Sequence, residues 1–388
     1  MRKLGIICSG GPAPGINSVI RAVVIQARNM NLEVIGFIDG FYYLSKGKLI
    51  YKNLSIEDVS KIHHSGGSII GTSRGKLSDE EITNIYKSLL KSGISYLVSI
   101  GGDGTASLIY KISKIDNDFP LPLNSRTFGF ETARNLGMNL VLNLIEDARV
   151  LKRWFFVQVM GRESGHLAIG IGKSSGATLT IIPEEFKNYK KIPIDFVLDI
   201  LEGSIIKRLA LNKSYGVAII AEGVSQKLDL DTSGYRTLSE FPLVEILSQK
   251  VQERLKSRNI NITIIPQNIG YVLRNAQPIA FDIAYTITLG YGSVKCLSDN
   301  SIHCGVVNLK GDRVELLNME EIVENERIKI RYVDLNGDIY QSAYYYMIRL
   351  KKEDFEDEEK ILKMSNCANM SKEDFVKKFK YTTEFPPI

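Results

Sequence analysis

One local pattern constrains this chain more than any other: an apolar strand that runs straight into a glycine turn and then into a helix. Residues 96–98 (YLV) are apolar, residues 99–105 (SIGGDGT) follow, and residues 106–110 (ASLIY) resume helical apolar spacing. Glycines at a strand exit let a ligand approach the backbone. The helix N-terminus beyond them presents unpaired N–H groups and the positive end of its dipole. Asp103 adds a carboxylate where a phosphate-bound Mg²⁺ would lie. The pattern reads as a metal–phosphate site, or more plainly as a tight strand–helix turn with a capping aspartate.

The same unit recurs. Residues 4–8 (LGIIC) run into a glycine- and proline-rich turn at 9–15 (SGGPAPG), then into helical spacing at 16–24, and residues 32–37 read as a second strand. Further on, 154–160 (WFFVQVM) lead into 161–165 (GRESG). Strands are expected at 177–183, at 215–221 (ending in Glu222-Gly223) and at 261–265, the last after a helix at 243–258. Strands alternating with helices predict an α/β fold of two doubly wound, mostly parallel-sheet, Rossmann-like lobes, with ligands beyond the carboxyl ends of the strands. The expected division is 1–134, completed by a return at about 280–310, then 135–279, then a C-terminal extension at 311–388. In that extension 340–350 reads as a strand, and 353–363 and 372–380 as charged surface helices.

The length of 388 residues with 44% hydrophobic and 24% charged residues is ordinary for a globular chain of two or more domains. The net charge of +5 is spread along the chain. It suits small anionic substrates and gives no basic stripe for nucleic acid. No apolar run is long enough to span a bilayer, so no membrane partner is expected. Cys8, Cys296, Cys304 and Cys367 show no CxxC spacing and no signal peptide stands out, which predicts reduced thiols and a cytoplasmic setting. The four histidines, His63, His64, His166 and His303, have no metal-ligand spacing.

Asp116-Asn117-Asp118 precedes Pro120. That is an ordinary Asx turn, or, beside a metal–phosphate loop, the second carboxylate cluster that phosphoryl transfer to a hydroxyl requires. Arg74, Arg153, Arg162 and Arg274 all fall beside strand ends or glycine turns, where bidentate phosphate recognition would place them, although each is also compatible with a surface arginine. Glu222, after a fully apolar strand, suits hydrogen bonds from sugar hydroxyls, and equally a helix cap.

Taken in order, residues 8–17 (CSGGPAPGIN), 63–75 (HHSGGSIIGTSRG), 101–105 (GGDGT), 115–118 (IDND), 127–134 (TFGFETAR), 160–162 (MGR), 221–223 (AEG) and 270–274 (GYVLR) resemble the phosphofructokinase superfamily, in particular its long-chain bacterial and protist branch. GGDGT alone is shared with NAD kinases and diacylglycerol kinases; the ordered set is not. The resemblance implies phosphorylation of fructose 6-phosphate at its 1-hydroxyl, with Mg²⁺ as cofactor. It makes 1–134 the donor-binding lobe and 135–279 the sugar-phosphate lobe. It implies that Gly11, Arg74 and Gly75 contact donor phosphates, that Asp103 binds Mg²⁺, and that Gly102, Gly104 and Thr105 complete the phosphate loop. Asp116 would be the general base and Arg162 would assist catalysis. Lys114, Ile115, Asp116, Arg153, Met160, Gly161, Arg162, Glu222, Tyr271 and Arg274 would line the sugar-phosphate side. Arg153 matches an arginine that in the family often reaches a neighbouring subunit, so a homo-oligomer, dimer or tetramer, is expected.

Position 104 bears on the phosphoryl donor. Pyrophosphate-dependent relatives typically carry an aspartate there, and Gly104 leaves room for the α-phosphate of ATP. ATP is therefore the expected donor and pyrophosphate the alternative, with the order Ser113-Lys114-Ile115 muddying the signal. The chain also departs from the family pattern. Eleven positions separate Thr105 from Asp116, where a crossover with its helix takes about 10–12 residues before any return strand. No Arg or Lys occupies 262–270. These departures support a third reading, a catalytically silent subunit of the family.

Overall fold

The computed structural model describes residues 2–75, 77–113, 121–124, 127–235, 237–298, 304–324, 327–328 and 331–384. Its strands, in chain order, are β1 (Lys3–Cys8), β2 (Glu33–Phe37), β3 (Tyr51–Asn53), β4 (Tyr96–Ile100), β5 (Leu121–Asn124), β6 (Trp154–Val159), β7 (Leu179–Ile181), β8 (Gly216–Ala221), β9 (Ile264–Asn268), β10 (Cys304–Lys310) and β11 (Arg313–Asn318), followed by two short pieces at Val323–Glu324 and Arg327–Ile328. The chain divides into two compact units. One comprises Met1–Ala133 with Leu273–Lys329, the other Arg134–Val272 with Ile330–Ile388. Residues from 311 onward thus do not form one extension: they are shared between the two units.

The first unit is built on a sheet of order β3-β2-β1-β4. β1 lies parallel to both β2 and β4, with Cys8 opposite Ile100, and β3 is an antiparallel edge. β1 is apolar and buried from Leu4 to Cys8 because both of its faces are covered. Leu4, Ile6 and Cys8 join a core with Val19, Ile20 and Val23 of helix Ile16–Asn29 and Tyr285 and Leu289 of helix Ala280–Lys295. Ile7 faces the opposite core with Ile85, Leu89 and Ile109, from helices Asp79–Lys91 and Asp103–Ser113. The pairing of helices Ile16–Asn29 and Ala280–Lys295 is close: a Cβ on Gly290 would fall 2.7 Å from the Ala22 Cβ and 2.8 Å from the Val19 carbonyl oxygen. β5 pairs in parallel with β10, which turns back antiparallel into β11.

The second unit carries an all-parallel sheet of order β7-β8-β6-β9. β6 and β8 are central and every residue of both is buried. β9 is an edge strand, which is why it accommodates Pro266, Gln267 and Asn268. The ladder therefore starts at Ile264 and runs past the apolar stretch 261–265 that the sequence pattern marks. The C-terminal helices Glu358–Cys367 and Lys372–Phe379 pack Ile361, Met364, Phe375 and Phe379 onto Ile206 and Ala210 of helix Ile194–Ala210.

The stretch expected as a strand at 340–350 is instead helical over Asp338–Tyr346. Its aromatic composition favours strands, but Tyr340, Ala343 and Met347 are the buried positions within residues 338–347. That spacing of three and four residues is the helical one.

Candidate active site

In the first unit the candidate residues gather at the carboxyl ends of β1 and β4. β1 ends in Cys8, whose thiol burial pushes up to about 12; it is inert packing beneath the loop. Ser9 N–H donates to the Ile100 carbonyl at 3.0 Å and joins the two strand exits. Gly10, at φ 95°, donates to the Ser73 carbonyl at 2.9 Å, and the Thr72 hydroxyl donates back to the Gly10 carbonyl at 3.0 Å. The turn 71–75 is thereby stitched onto the glycine turn after β1. The outcome is a specific placement of Arg74: a Cβ on Gly11 would lie 1.8 Å from Arg74 Nη2, so any side chain at position 11 would displace the guanidinium that lies across it.

Gly101 is equally constrained, since a Cβ there would meet Thr105 Oγ1 at 2.3 Å and the Ser9 carbonyl at 2.5 Å. Gly102, Gly104 and Gly75 differ, because a Cβ on each would meet open space. Helix Asp103–Ser113 begins at this opening, with Thr105 and Ala106 N–H both closing on the Gly102 carbonyl at 3.0 Å. Thr105 is 4% exposed and its hydroxyl has no hydrogen-bond partner. A buried orphan hydroxyl beside two glycine turns and a helix N-terminus is the set of donors that a phosphate oxygen satisfies. Asp103 is exposed at the first position of that helix. Among the described residues no three His, Cys, Asp or Glu side chains gather as a metal cage. Mg²⁺ is commonly held by one or two carboxylates together with substrate phosphates, so a single exposed Asp103 at an open phosphate loop fits it.

In the second unit the candidate residues gather at the carboxyl ends of β6 and β8. After β6 come Met160, Gly161 and Arg162, the last in the left-handed region at φ 52°. After β8 comes Glu222, 3% exposed, whose Oε1 accepts from Gly161 N–H at 3.0 Å and from Arg162 N–H at 2.7 Å. Its Oε2 accepts from the Ser239 hydroxyl. Gly223 completes the cradle, since a Cβ there would lie 2.2 Å from the Arg162 carbonyl oxygen. Glu222 therefore holds the turn that aims Arg162; most of its accepting capacity is used inside the protein. Asn268 bonds the Ser239 carbonyl through Nδ2 at 2.8 Å, and the Tyr271 hydroxyl donates to Glu240 Oε1 at 3.3 Å. The 239–240 turn thus ties Glu222 to the segment bearing Tyr271. Arg153 donates from Nε to Asp147 Oδ1 at 2.6 Å and lies over the Phe155 ring.

The structure divides the sugar-phosphate residues expected from the sequence. Met160, Gly161, Arg162, Glu222, Tyr271 and Arg153 belong to the second unit, while Arg274 belongs to the first. Lys114, Ile115 and Asp116 lie outside the described residues, as does Asp118. Sequence reasoning missed Ser239, Thr72 and Asn17, whose roles are tertiary. Only Asn17 left a trace, as an amide in the first turn of a helix that is apolar over most of its first half.

The sequence profile described as Phosphofructokinase matches residues 3–297. The pyrophosphate–fructose 6-phosphate 1-phosphotransferase of Thermotoga maritima is 46% identical over 418 residues, covering 99% of each chain. That span exceeds the 388 residues present here, so segments found in that protein are absent from this one. The protein of the same description from Naegleria fowleri is 38% identical over 98% of this chain and 96% of its own. By contrast, the ATP-dependent 6-phosphofructokinase of a Sulfurihydrogenibium species reaches 31% over 76% of this chain and 86% of its own. Among solved structures, Pichia pastoris phosphofructokinase in the T-state shares the fold at TM-score 0.67 and 20% identity, over 98% of this chain and 39% of that longer one.

These findings overturn the expectation of ATP as donor. The two relatives aligned over essentially the whole chain are named for pyrophosphate. The physical error lay in reading room as recognition. Gly104 leaves open space, but space for an α-phosphate supplies no group that binds a nucleoside.

Proposed function

We propose that this chain, which belongs to the phosphofructokinase family and is an enzyme of it, transfers a phosphoryl group from pyrophosphate to the 1-hydroxyl of fructose 6-phosphate. The products are fructose 1,6-bisphosphate and inorganic phosphate. The observation that carries the donor assignment is the near-complete alignment, at 46% identity, with a pyrophosphate-dependent enzyme.

The reaction forms a bond between the sugar's 1-oxygen and a phosphorus of pyrophosphate, breaks the bridging P–O bond, and passes the hydroxyl proton to a base. Arg74 across Gly11, the Thr105 hydroxyl and the N-terminus of helix Asp103–Ser113 form the donor's phosphate cradle. Donors fixed before the substrate arrives stabilise the charge that builds on the transferring group without reorganising. Asp103 would hold Mg²⁺, which would supply positive charge against the negative charge of the pyrophosphate. Arg162, aimed by Glu222, binds the sugar phosphate, and the match to the family motifs gives Tyr271 and Arg274 the same role. Asp116 takes the hydroxyl proton, a role that rests on the match of 115–118 to the family motif. A homo-oligomer in the cytoplasm completes the reading.

The test is direct: purified protein with Mg²⁺, pyrophosphate and fructose 6-phosphate, followed by ³¹P NMR. Appearance of the bisphosphate and inorganic phosphate together supports the proposal. No sugar bisphosphate above the enzyme-free control refutes it.

A further inference from the structure

The amide of Asn17 stands in the first turn of helix Ile16–Asn29, 2% exposed. Its Nδ2 donates to the Ser65 and Gly66 carbonyls, both at 3.2 Å, and its Oδ1 accepts from Ile69 N–H at 2.9 Å. Both donors and one acceptor of a buried side chain are thus devoted to one turn, residues 65–69. What that turn leads to is informative on both sides.

Downstream, Asp39 N–H donates to the Ile70 carbonyl at 2.8 Å. A Cβ on Gly71 would lie 2.1 Å from Asp39 Oδ1. The chain then reaches Thr72 and Ser73, which bond the Gly10 turn, and ends with Arg74 across Gly11. From Asn17 to Arg74 the backbone is held at nearly every step. On its other side the turn abuts the segment just after Arg274. A Cβ on Gly66 would fall 2.1 Å from the Asn275 carbonyl oxygen and 3.0 Å from that of Ala276. Gly67, at φ +75°, faces Asn275 Oδ1. Residues 65–67 are therefore enclosed between Asn17 and the backbone of 275–276.

We infer that the 65–67 turn is a common mount for two phosphate-binding arginines, Arg74 on the donor side and Arg274 on the sugar-phosphate side, and that Asn17 is the positioning residue that fixes it. The inference rests on the reading of Arg74 and Arg274 given above. Its consequence is energetic coupling. Because the mount is stiff, a ligand that draws one arginine into its bound arrangement shifts the support of the other with it, so the second ligand meets an arginine already in place. By linkage the effect is reciprocal: pyrophosphate raises affinity for fructose 6-phosphate by the same factor as the reverse. Neither arginine need touch the other's ligand.

The experiment is a titration calorimetry cycle on the full chain. The dissociation constant of fructose 6-phosphate is measured with and without saturating Mg²⁺–methylenediphosphonate, a non-transferable pyrophosphate analogue. Wild type is expected to bind the sugar phosphate more tightly with the analogue present. Asn17→Ala is expected to weaken both ligands about tenfold or more and to bring the coupling factor close to one. Gly66→Ala perturbs the same turn from its other side, because its methyl group pushes on the 275 carbonyl while the Asn17 side chain stays in place. It is expected to weaken the sugar phosphate and reduce the coupling as well. Thermal unfolding of each variant confirms that a folded protein is titrated.

Arg74→Ala and Arg274→Ala separate the two levels of the argument. Loss of analogue binding in the first and of sugar-phosphate binding in the second upholds the site reading. If neither loss occurs, that reading is wrong. If both occur, yet either folded mount variant keeps both affinities and the coupling within about twofold of wild type, the shared mount is refuted. Wild type showing no coupling refutes it too.

Discussion

Removing the Glu222 carboxylate has a cost that can be worked out from the contacts. In Glu222→Ala the N–H groups of Gly161 and Arg162 lose their common acceptor, and the Ser239 hydroxyl loses its own. The group is 3% exposed. Leaving the buried Ser239 donor unsatisfied costs about 1–3 kcal/mol, and each bond from the part-buried Gly161 and Arg162 amides is worth about 0.5–1.5 kcal/mol, so the three together lose about 2–6 kcal/mol. Glu222→Gln is milder. Its carbonyl oxygen keeps both amides, and its NH₂ donates to Ser239 Oγ. What goes is the charge assistance, roughly 1 kcal/mol per bond, offset in part because a neutral amide is cheaper to bury than a charge. A net loss of about 1–2 kcal/mol is expected. The chain offers a clean assay, because its single tryptophan, Trp154, is fully buried on β6, the strand that leads into Met160, and reports on the second unit alone. With a urea slope of about 2 kcal/mol/M, the Trp154 emission midpoint should fall by about 1–3 M in the alanine variant and by less than about 1 M in the glutamine variant. KM for fructose 6-phosphate should rise in the same order. Midpoints indistinguishable from wild type in both variants would refute the claim that Glu222 holds the Arg162 turn.

The remaining predictions concern the first unit. Gly104→Asp should leave thermal stability unchanged, since its Cβ meets open space. It should abolish any residual ATP turnover while sparing pyrophosphate, because a second carboxylate would face the α-phosphate; equal losses with both donors would contradict this. Burial holds the His63 imidazole below its ordinary 6.5, aided by the neighbouring His64 and Arg21 charges. A depressed folded-state value means the unfolded chain binds the extra proton first. The associated stability is therefore present above about pH 6.5 and lost as pH falls below it. Thermal unfolding at pH 5 and pH 8 should differ less in His63→Gln than in wild type, and an unchanged difference would remove His63 from the account.

The parts of this protein that were legible in the sequence are those whose cause is local. β1, β4, β6 and β8 announce themselves because strands covered on both faces are apolar along nearly their whole length. The glycine turns announce themselves because Gly101 sits where no Cβ fits and Gly11 leaves room for the Arg74 guanidinium. What was illegible is set by tertiary partners. The helix Asp338–Tyr346 hid behind tyrosines that favour strands until the core selected Tyr340 and Ala343. Glu222 looked like a ligand-facing carboxylate, and only the fold reveals that Gly161, Arg162 and Ser239 claim it. The donor was misread for a related reason: one glycine reports the space at a single position, whereas donor choice depends on the whole pocket.

The central claim is the donor, and one measurement addresses it directly: kcat/KM for pyrophosphate and for ATP, side by side, at saturating Mg²⁺ and fructose 6-phosphate. The account predicts efficient turnover with pyrophosphate and a far lower kcat/KM with ATP. Efficient turnover with ATP and none with pyrophosphate would contradict it.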